Sequence, residues 1–396
     1  MKIINNTKTP QIRFPGFAEN WTKHKLGEIA TVEMCRRIFK EETSEIGEVP
    51  FYKIGTFGGK ADAYISQDIF DEYKEKYSYP QIGDILISAS GTIGRTVVYS
   101  GELAYYQDSN IVWLNINKAK LCNIFLNQFY QIAKWSGIEG TTIKRLYNSN
   151  ILDTSISLPS LPEQKKIGEF FQNLDNLIDA EQKKLDNLKQ LKKGYLQQLF
   201  PQDGEKFPKI RFDGFSDDWQ ICKLGDVLKE FNRKSSIENE FPILSSTNQG
   251  MEIRLGRVSS SSNIGYKIIE NGNLVLSPQN LWLGNININD IGVGLVSPSY
   301  KTFKLNNIVC EFIKPQLRTP KMIDKYKEAS LQGASVVRRN LNMESFNKIE
   351  IFIPSLPEQK KIGEFFQNLD NLISAQSDKI EALKQHKKGM LQKMFV

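Results

Sequence analysis

The stretch PSLPEQKKIGEFFQNLDNLI occurs at Pro159–Ile178 and again, letter for letter, at Pro354–Ile373. A second pair of similar stretches opens each half of the chain, IRFPGF at Ile12–Phe17 and IRFDGF at Ile210–Phe215. Two copies of one scaffold about 195 residues apart indicate a duplication, since solenoid repeats have periods of roughly 20–50 residues. We therefore predict two half-molecules, each with an IRFxGF start, a long middle segment and a repeated tail.

The repeated tail has the sequence features of a helix start. Ser160 is a good N-cap residue, and Glu163 three positions later completes a capping box. Pro162 falls in the first turn, where its missing N–H costs nothing. No proline follows before Pro201, and a helix from Glu163 to that point would be roughly 57 Å long at 1.5 Å per residue. The second copy repeats this pattern, so we predict two long helices.

Apolar side chains recur at spacings of three and four along both tails, which predicts a stripe that needs a partner helix. The predicted coiled-coil residues are Ile167, Phe171, Leu174, Ile178, Leu185, Leu188, Ile362, Phe366, Leu369, Ile373, Ile380 and Leu383. Each tail is acidic in its first half and rich in lysine in its second half. Antiparallel pairing sets acidic halves against basic halves, so we predict that orientation. The alternative is that each gradient complements its own helix dipole.

The middle segments, about Asn20–Ser157 and Asp218–Ile353, differ from each other in most places but share short β-like runs separated by Gly, Asn and Ser. One run aligns between them, Gly83–Ser88 with Gly272–Ser277, and a Gly-containing loop follows it in each. The predicted fold class is α+β, with two globular modules separated by two long antiparallel helices that form a coiled coil, related by a pseudo-two-fold duplication. The predicted domains are 1–158, 159–202, 203–353 and 354–396.

Composition places limits on function. The 396 residues are 40% hydrophobic and 24% charged, as in ordinary soluble proteins, and the net charge of +7 is a mild indication of a polyanionic partner. Four scattered cysteines and two histidines give no metal-binding or redox motif. The absence of a signal-peptide-like or membrane-spanning apolar run predicts a cytoplasmic protein without membrane contact.

Two unlike modules, each closed by the PSLPEQKKIGEFFQNLDNLI stretch, resemble the specificity (S) subunit of type I restriction-modification enzymes. The resemblance covers essentially the whole chain. It implies that each module is a target recognition domain that reads one half of a split, asymmetric sequence of double-stranded DNA. It further implies that the helices set the spacing between the half-sites and dock two methyltransferase (M) subunits, and that the complex recruits restriction (R) subunits.

The same resemblance implies that the chain is not itself an enzyme. S-adenosylmethionine would then belong to the methyltransferase subunits, and ATP with Mg²⁺ to the restriction subunits, with no cofactor in this chain. The sequence agrees, because it contains neither an Asn-Pro-Pro-Tyr nor an Asp-Pro-Pro-Tyr methyltransferase motif. The GTFGGKA stretch at Gly55–Ala61 lacks the spacing of a phosphate-binding loop, so we interpret it as a turn.

Side chains that read base edges are Arg, Lys, Asn, Gln, Ser or Thr on loops. Gln279 and Asn280 are attractive because Gln and Asn pair bidentately with adenine. For each candidate the alternative is a solvated loop residue, and Trp282 is either a stacking residue or a core residue. The predicted DNA-binding residues are Lys53, Ser90, Thr92, Arg95, Lys144, Arg145, Asn248, Gln249, Gln279, Asn280, Arg338, Arg339 and Asn340.

Two other functions compete with this interpretation. A structural coiled-coil assembly protein without DNA readout would explain the helices but not the two unlike, loop-rich modules. A self-sufficient restriction-methylation enzyme would require the methyltransferase motif that the chain lacks. A methylation assay on the chain alone and with candidate M subunits separates the three functions.

Overall fold

The computed structural model describes residues 9–135, 145–202, 205–254, 262–332 and 339–396. The chain divides into two compact units, Met1–Gln182 with Lys379–Val396, and Lys183–Asp378. Each unit contains one module, the first part of that module's own tail helix and the last part of the other tail helix. The predicted four-segment division therefore describes the order along the chain, whereas compactness groups segments from both halves.

Within residues 9–135 and 145–158, the first module is built from nine strands and three helices. The strands are β1 (Thr22–Lys25), β2 (Ala30–Glu33), β3 (Val49–Tyr52), β4 (Ala63–Ile65), β5 (Ile85–Ser88), β6 (Thr96–Val98), β7 (Tyr105–Tyr106), β8 (Ile111–Ile116) and β9 (Ser155–Leu158). The helices are α1 (Gln67–Lys76), α2 (Asn123–Tyr130) and α3 (Asn148–Asp153), with 3-10 turns at Leu26–Glu28 and Lys40–Glu42. A four-stranded antiparallel sheet has the order β2-β8-β5-β6, a three-stranded sheet the order β4-β3-β7, and β1 pairs with β9.

After the first long helix, α4 (Leu161–Gln198), the second module contributes twelve strands and four helices within the described ranges 205–254, 262–332 and 339–353. The strands are β10 (Gln220–Lys223), β11 (Leu228–Phe231), β12 (Leu244–Ser246), β13 (Met251–Ile253), β14 (Lys267–Ile269), β15 (Leu274–Leu276), β16 (Ile286–Ile288), β17 (Gly294–Val296), β18 (Lys301–Leu305), β19 (Ser330–Gln332), β20 (Arg339–Leu341) and β21 (Glu350–Ile353). The helices are α5 (Leu224–Val227), α6 (Cys310–Gln316), α7 (Pro320–Glu328) and α8 (Met343–Asn347), with a 3-10 turn at Leu281–Leu283. The second long helix, α9, spans Leu356–Met394.

The two modules share a framework and differ around it. The second four-stranded sheet, β11-β18-β15-β16, repeats the connectivity of the first, and β10 pairs with β21 as β1 pairs with β9. Strands β5 and β15 hold the same place in these sheets, which confirms the alignment of Gly83–Ser88 with Gly272–Ser277. The three-stranded sheet belongs to the first module, and the pairs β12-β13, β14-β17 and β19-β20 belong to the second. The predicted α+β duplication is confirmed.

Contacts within each unit show that the long helices run antiparallel. In the first unit Asp175 on α4 is paired with Lys387 on α9, and Glu181, farther along α4, is paired with Lys379, earlier on α9, at 2.6 Å. In the second unit Lys192 on α4 is paired with Asp370 on α9. Acidic first halves thus contact basic second halves, as the charge gradient predicts.

The predicted stripe divides by depth. Ile167, Phe171, Ile178, Leu185, Ile362, Phe366, Leu369 and Ile380 are buried, and Leu174, Leu188, Ile373 and Leu383 are half-buried. The first turns do more than meet the other helix, because Ile167 and Phe171 belong to one core cluster with the first module and with Leu391 and Met394 of α9. The three-and-four periodicity predicts packing between the two long helices, but it does not show that the module packs against them as well.

The helix starts hold the modules by a mechanism that differs from the predicted capping box. Both carboxylate oxygens of Glu163 accept hydrogen bonds from the guanidinium of Arg13, each at 2.7 Å, and the Glu163 side chain is only 1% exposed. In the second unit Arg211 binds Glu358 in the same bidentate way, at 2.7 and 2.8 Å. The carboxylate therefore has a role that the capping prediction does not describe, since it anchors the IRFxGF segment. Hydrogen bonding to Glu163 raises the pKa of Arg13, which keeps the guanidinium charged.

The next residue of the repeat binds the module itself. The side-chain carbonyl of Gln164 accepts a hydrogen bond from the backbone N–H of Cys122 at 3.1 Å, and its amide donates to the Pro159 carbonyl at 3.0 Å. Gln359 accepts in the same way from the Val309 N–H at 2.9 Å. These N–H groups precede α2 and α6, so each long helix holds the start of a module helix through the backbone.

The repeated glycine permits close packing at the same place. A Cβ atom on Gly168 would lie 2.6 Å from Ile124 Cγ2 on α2. A Cβ atom on Gly363 would lie 2.8 Å from Glu311 Cβ on α6. Only glycine accommodates both approaches, which accounts for its presence in each copy of the stretch.

Removal of Arg13 should destabilise the first unit strongly. The Arg13→Ala variant leaves the buried Glu163 carboxylate without its counter-charge, and such a loss costs about 3–5 kcal/mol. Equilibrium urea unfolding followed by circular dichroism measures it. The control is Lys25→Ala, because Lys25 and Asp153 form an ion pair in which both side chains are more than half exposed, and solvent screening leaves such a pair little effect on stability. Equal losses of stability in the two variants would contradict this account of the anchor.

Candidate nucleic-acid interface

Several predicted DNA-binding residues of the first module share one loop, which begins directly after β5. The loop is closed at its base, where the Arg95 backbone N–H donates to Ser88 Oγ at 2.9 Å and the Gly94 N–H donates to the Ser88 carbonyl at 3.0 Å. Thr92 and Arg95 are exposed on it. The buried Ser88 therefore fixes the two ends of the loop, while the polar side chains at its tip remain exposed to solvent.

Arg145 lies beside this loop. It forms an antiparallel β-bridge with Ser90, and its guanidinium donates to Ser109 Oγ at 3.1 Å. Ser90 Oγ in turn donates to Asn110 Oδ1 at 2.8 Å. The structure thus brings together residues predicted separately, from positions 90–95 and 145, and adds Ser109 and Asn110, which the sequence reading missed. These two come directly before β8, and only the pairing of β8 with β5 places them next to the loop.

Lys53 belongs to a neighbouring loop. A Cβ on Gly58 would lie 3.3 Å from Arg95 Nε, and one on Gly91 would lie 3.7 Å from Ile54, so the two loops are in contact. The Lys53 ammonium is 2.8 Å from the Asp62 carboxylate, and both side chains are well exposed. A phosphate would have to compete with Asp62 for this lysine.

In the second module a buried polar network holds the loop that carries Asn248 and Gln249. Asn287, on β16, donates from its amide to Ser246 Oγ at 2.8 Å and to the Thr247 carbonyl at 2.7 Å. Ser246 Oγ donates to Asn285 Oδ1 at 2.6 Å. The same network therefore fixes both the 247–250 loop and the end of the loop that contains Gln279 and Asn280, while Asn248 and Gln249 remain exposed.

Two arginines border these loops. The guanidinium of Arg318 donates to the Asn248 carbonyl, a contact that no sequence pattern indicates. Arg339 lies over the ring of Trp282, with 5.8 Å between the guanidinium carbon and the ring centroid. Trp282 is half-buried, and its Nε1 atom is buried without a hydrogen-bond partner among the described residues.

The remaining predicted residues occupy similar positions or fall outside the structure. Gln279 is exposed just before Asn280, which precedes the 3-10 turn Leu281–Leu283, and Asn340 is exposed on β20. Lys144 and Arg338 lie outside the described residues. The DNA-binding role of all these side chains stays a prediction.

Across the described residues no cluster of three or more His, Cys, Asp or Glu side chains is arranged to hold a metal ion. None of the helices in the described ranges combines the length and apolar character needed to cross a bilayer.

The shared framework and the two polar loop clusters define a duplicated scaffold that presents two unlike polar surfaces. The model of the type I restriction modification DNA specificity domain matches the chain twice, at residues 18–190 and 216–385. The chain belongs to this family. Each match contains one module and most of its tail helix, so the family's unit is the same as the duplicated half described above.

Relatives and solved structures are consistent with this assignment. Over 156 residues, 39% of this chain and 40% of the relative, the sequence is 54% identical to a putative type I restriction enzyme specificity subunit of Haemophilus influenzae. It is 26% identical to the putative MjaX specificity subunit of Methanocaldococcus jannaschii over 94% of this chain and 92% of that protein. The fold is similar to the crystal structure of the type I restriction-modification S subunit from M. genitalium, with a TM-score of 0.61, 15% identity and coverage of 98% and 99% of the two chains.

The Arg95 and Arg145 cluster should contribute to DNA affinity in the assembled complex. If the two arginines read bases, alanine substitution costs roughly 1–3 kcal/mol per bidentate contact at one half-site only. If they hold phosphates, all sequences weaken alike and the slope of affinity against salt falls by about one per contact. Binding titrations over a salt series, on matched and altered half-sites, distinguish the two roles.

Lys118→Ala is the control for that experiment. Lys118 is exposed and follows β8, whereas the Arg95 loop lies beside the start of β8, so the two are at opposite ends of one strand. An affinity and a salt slope that stay at wild-type values in both arginine variants would identify the arginines as solvated loop residues.

Proposed function

We propose that this chain is the DNA sequence-specificity subunit of a type I restriction-modification complex, in which each module reads one half of a split, asymmetric target. The support is the combination of two specificity-domain matches with two polar loop clusters that share a framework but not their residues. One cluster carries Ser90, Thr92, Arg95 and Arg145, and the other carries amides and Arg339. Unlike side chains on like frameworks suit two different half-sites.

The partner assignment rests on exposed residues that are identical in the two copies of the repeated stretch. Within the repeated stretch we define the repeat face as the exposed positions that follow the first turn of each helix. On α4 these are Lys165, Lys166, Glu169, Gln172, Asn173, Asn176 and Leu177, and on α9 they are Lys360, Lys361, Glu364, Gln367, Asn368, Asn371 and Leu372. All of them are exposed, and each pair is the same residue type.

Packing within each unit explains why the buried residues are identical in the two copies of the stretch. The buried residues that contact their own unit include Glu163, Gln164, Ile167, Gly168 and Phe171. This packing does not explain agreement at exposed positions, where substitutions usually change stability by less than about 0.5 kcal/mol. The modules have meanwhile diverged. Binding of the same kind of partner to both copies accounts for the identical residues of the repeat face. We assign this binding to two methyltransferase subunits.

The chain acts in this proposal without chemistry of its own. S-adenosylmethionine is bound by the methyltransferase subunits, and ATP and Mg²⁺ by the restriction subunits that join the complex. The chain determines which DNA sequence is bound and where the partner subunits dock. These roles require fixed loops and fixed docking faces rather than a reactive group. A cytoplasmic location follows from the proposed DNA partner.

Reconstitution tests the proposal directly. The purified chain should neither methylate nor cleave DNA, and it should direct a cognate methyltransferase subunit to one split sequence, read out by methylome sequencing. Turnover by the rigorously purified chain alone would favour the self-sufficient enzyme. Binding of the methyltransferase without any DNA preference in the complex would favour the structural assembly protein.

The repeat face should be required for methyltransferase binding. Leu177 and Leu372 are 43% and 58% exposed, so Leu177→Asp and Leu372→Asp should leave folding intact while each removes one apolar contact from a docking face. We expect each single variant to bind one methyltransferase subunit fewer at limiting concentration, measured by analytical ultracentrifugation. Leu191→Asp is the matched control, because Leu191 is 48% exposed on the same helix but outside the repeated stretch.

The helix pair should set the spacing between half-sites. Four residues inserted after Gln182 and four after Ser377 lengthen both helices by roughly 6 Å. B-DNA rises about 3.4 Å per base pair, so the unread gap should grow by one or two base pairs while both half-sites stay unchanged. An active insertion variant with an unchanged gap in its methylome would overturn the role of the helices as a spacer.

A further inference from the structure

Each unit contains a cleft of the same construction at the end of a long helix. In the first unit the cleft lies between the last turns of α9, the end of α2 and the segment Asp153–Ser155, and its volume is about 960 Å³. In the second unit it lies between the last turns of α4, the start of α7 and the beginning of β21, with a volume of about 400 Å³. The repeat face leaves both clefts unexplained, because it occupies the opposite ends of the helices.

The clefts share residues as well as position. Lys388, Leu391, Gln392 and Phe395 line the first, and Lys193, Leu196, Gln197 and Phe200 line the second at the equivalent places. These positions lie outside the identical twenty-residue stretch. Leucine and phenylalanine form an apolar floor in each cleft, and a lysine borders it.

The two lysines of each Lys-Lys doublet have different roles. Lys387 and Lys192 bind the aspartates of the opposing helix. Lys388 and Lys193, the second members, are exposed at the clefts, and neither has a carboxylate ion-pair partner within the described part of the chain. The first cleft adds Lys134 and Lys384, which are also exposed there. The lining also includes two carboxylates, Asp153 in the first cleft, which is paired with Lys25, and Glu350 in the second. Lysines outnumber carboxylates in both clefts, so the rims are basic on balance.

The apolar floor and the basic rim together indicate which kind of ligand the clefts bind. A phosphate backbone would use the lysines but would leave leucine and phenylalanine unmatched. A peptide segment with large apolar side chains on one face and carboxylates beside them matches both parts, since apolar contacts supply affinity and charge complementarity supplies orientation and association rate. Two clefts of one construction require two copies of that segment.

We propose that each cleft is a second docking site for a methyltransferase subunit, which inserts an acidic, amphipathic segment into it. This rests on the proposed function for the identity of the partner that is present twice. The repeat face and the cleft would then bind separate parts of the partner, so loss of the cleft weakens docking without removing it. A linked pair of contacts also makes the second contact effectively intramolecular.

Charge reversal at the cleft tests the proposal. Lys388→Glu and Lys193→Glu should each weaken methyltransferase binding roughly tenfold, and the salt dependence of binding should decrease, because attraction at the rim becomes repulsion. The controls are Lys393→Glu and Lys184→Glu, which make the same charge change at exposed positions of the same helices outside the clefts. Affinity is measured by titration of the full chain at several ionic strengths, and thermal unfolding confirms that all four variants remain folded.

The outcomes are distinct. If the wild-type chain binds the methyltransferase and the cleft variants bind as tightly as the controls, the cleft proposal is overturned and the proposed function stands. If the wild-type chain does not bind a cognate methyltransferase, the proposed function itself fails.

Cross-linking identifies the occupant independently of affinity. Gln392→Cys and Gln197→Cys place a thiol at an exposed cleft position, and a thiol-to-amine cross-linker followed by mass spectrometry reports what lies there in the complex with DNA. We expect adducts to one methyltransferase segment rich in acidic and apolar residues, the same segment from both clefts. Adducts confined to the restriction subunit, or the lack of any adduct with the methyltransferase, would overturn the assignment.

Discussion

The buried carboxylate at the start of each long helix is the constraint on which the rest of the structure depends. Glu163 and Glu358 are almost completely inaccessible, and a buried charge is tolerable only when it is paired and hydrogen-bonded. Arg13 and Arg211 supply that partner from segments about 150 residues away in sequence. The pairing fixes where each module begins relative to the helix that ends it. The β1–β9 and β10–β21 pairs then close the module over the same helix start.

Two of the repeated contacts between helix and module depend little on module side chains. Gln164 and Gln359 bind backbone N–H groups, and Gly168 and Gly363 admit a helix backbone at close range. The module residues at these contacts differ between the two halves, Cys122 in one and Val309 in the other, without changing the geometry. Different residues in the polar loops of the two modules are therefore compatible with a constant scaffold, because these contacts hold the main chain.

The sequence predicts the parts of this molecule that depend on pattern. An exact repeat, a three-and-four stripe and a charge gradient were enough for two long antiparallel helices, and a shared strand-and-glycine signal was enough to align β5 with β15. It does not predict interactions between residues far apart in sequence. The capping pattern around Glu163 was a reasonable interpretation of local residues, yet a distant arginine takes both carboxylate oxygens. Arg318, Asn287 and Ser109 gave no local signal, since their positions depend on the packing of other strands and helices around the loops.

Each compact unit also has consequences for the order of folding. The second unit, Lys183–Asp378, is continuous in sequence, whereas the first needs Lys379–Val396 to complete a core that contains Leu391 and Met394. During synthesis from the N-terminus, residues 1–182 therefore emerge with part of their core missing. That gap is filled only after about 200 further residues have been added, at roughly 5–20 residues per second. The half that is made first is finished last, and for roughly 10–40 seconds of translation Ile167 and Phe171 lack their contacts with the end of α9.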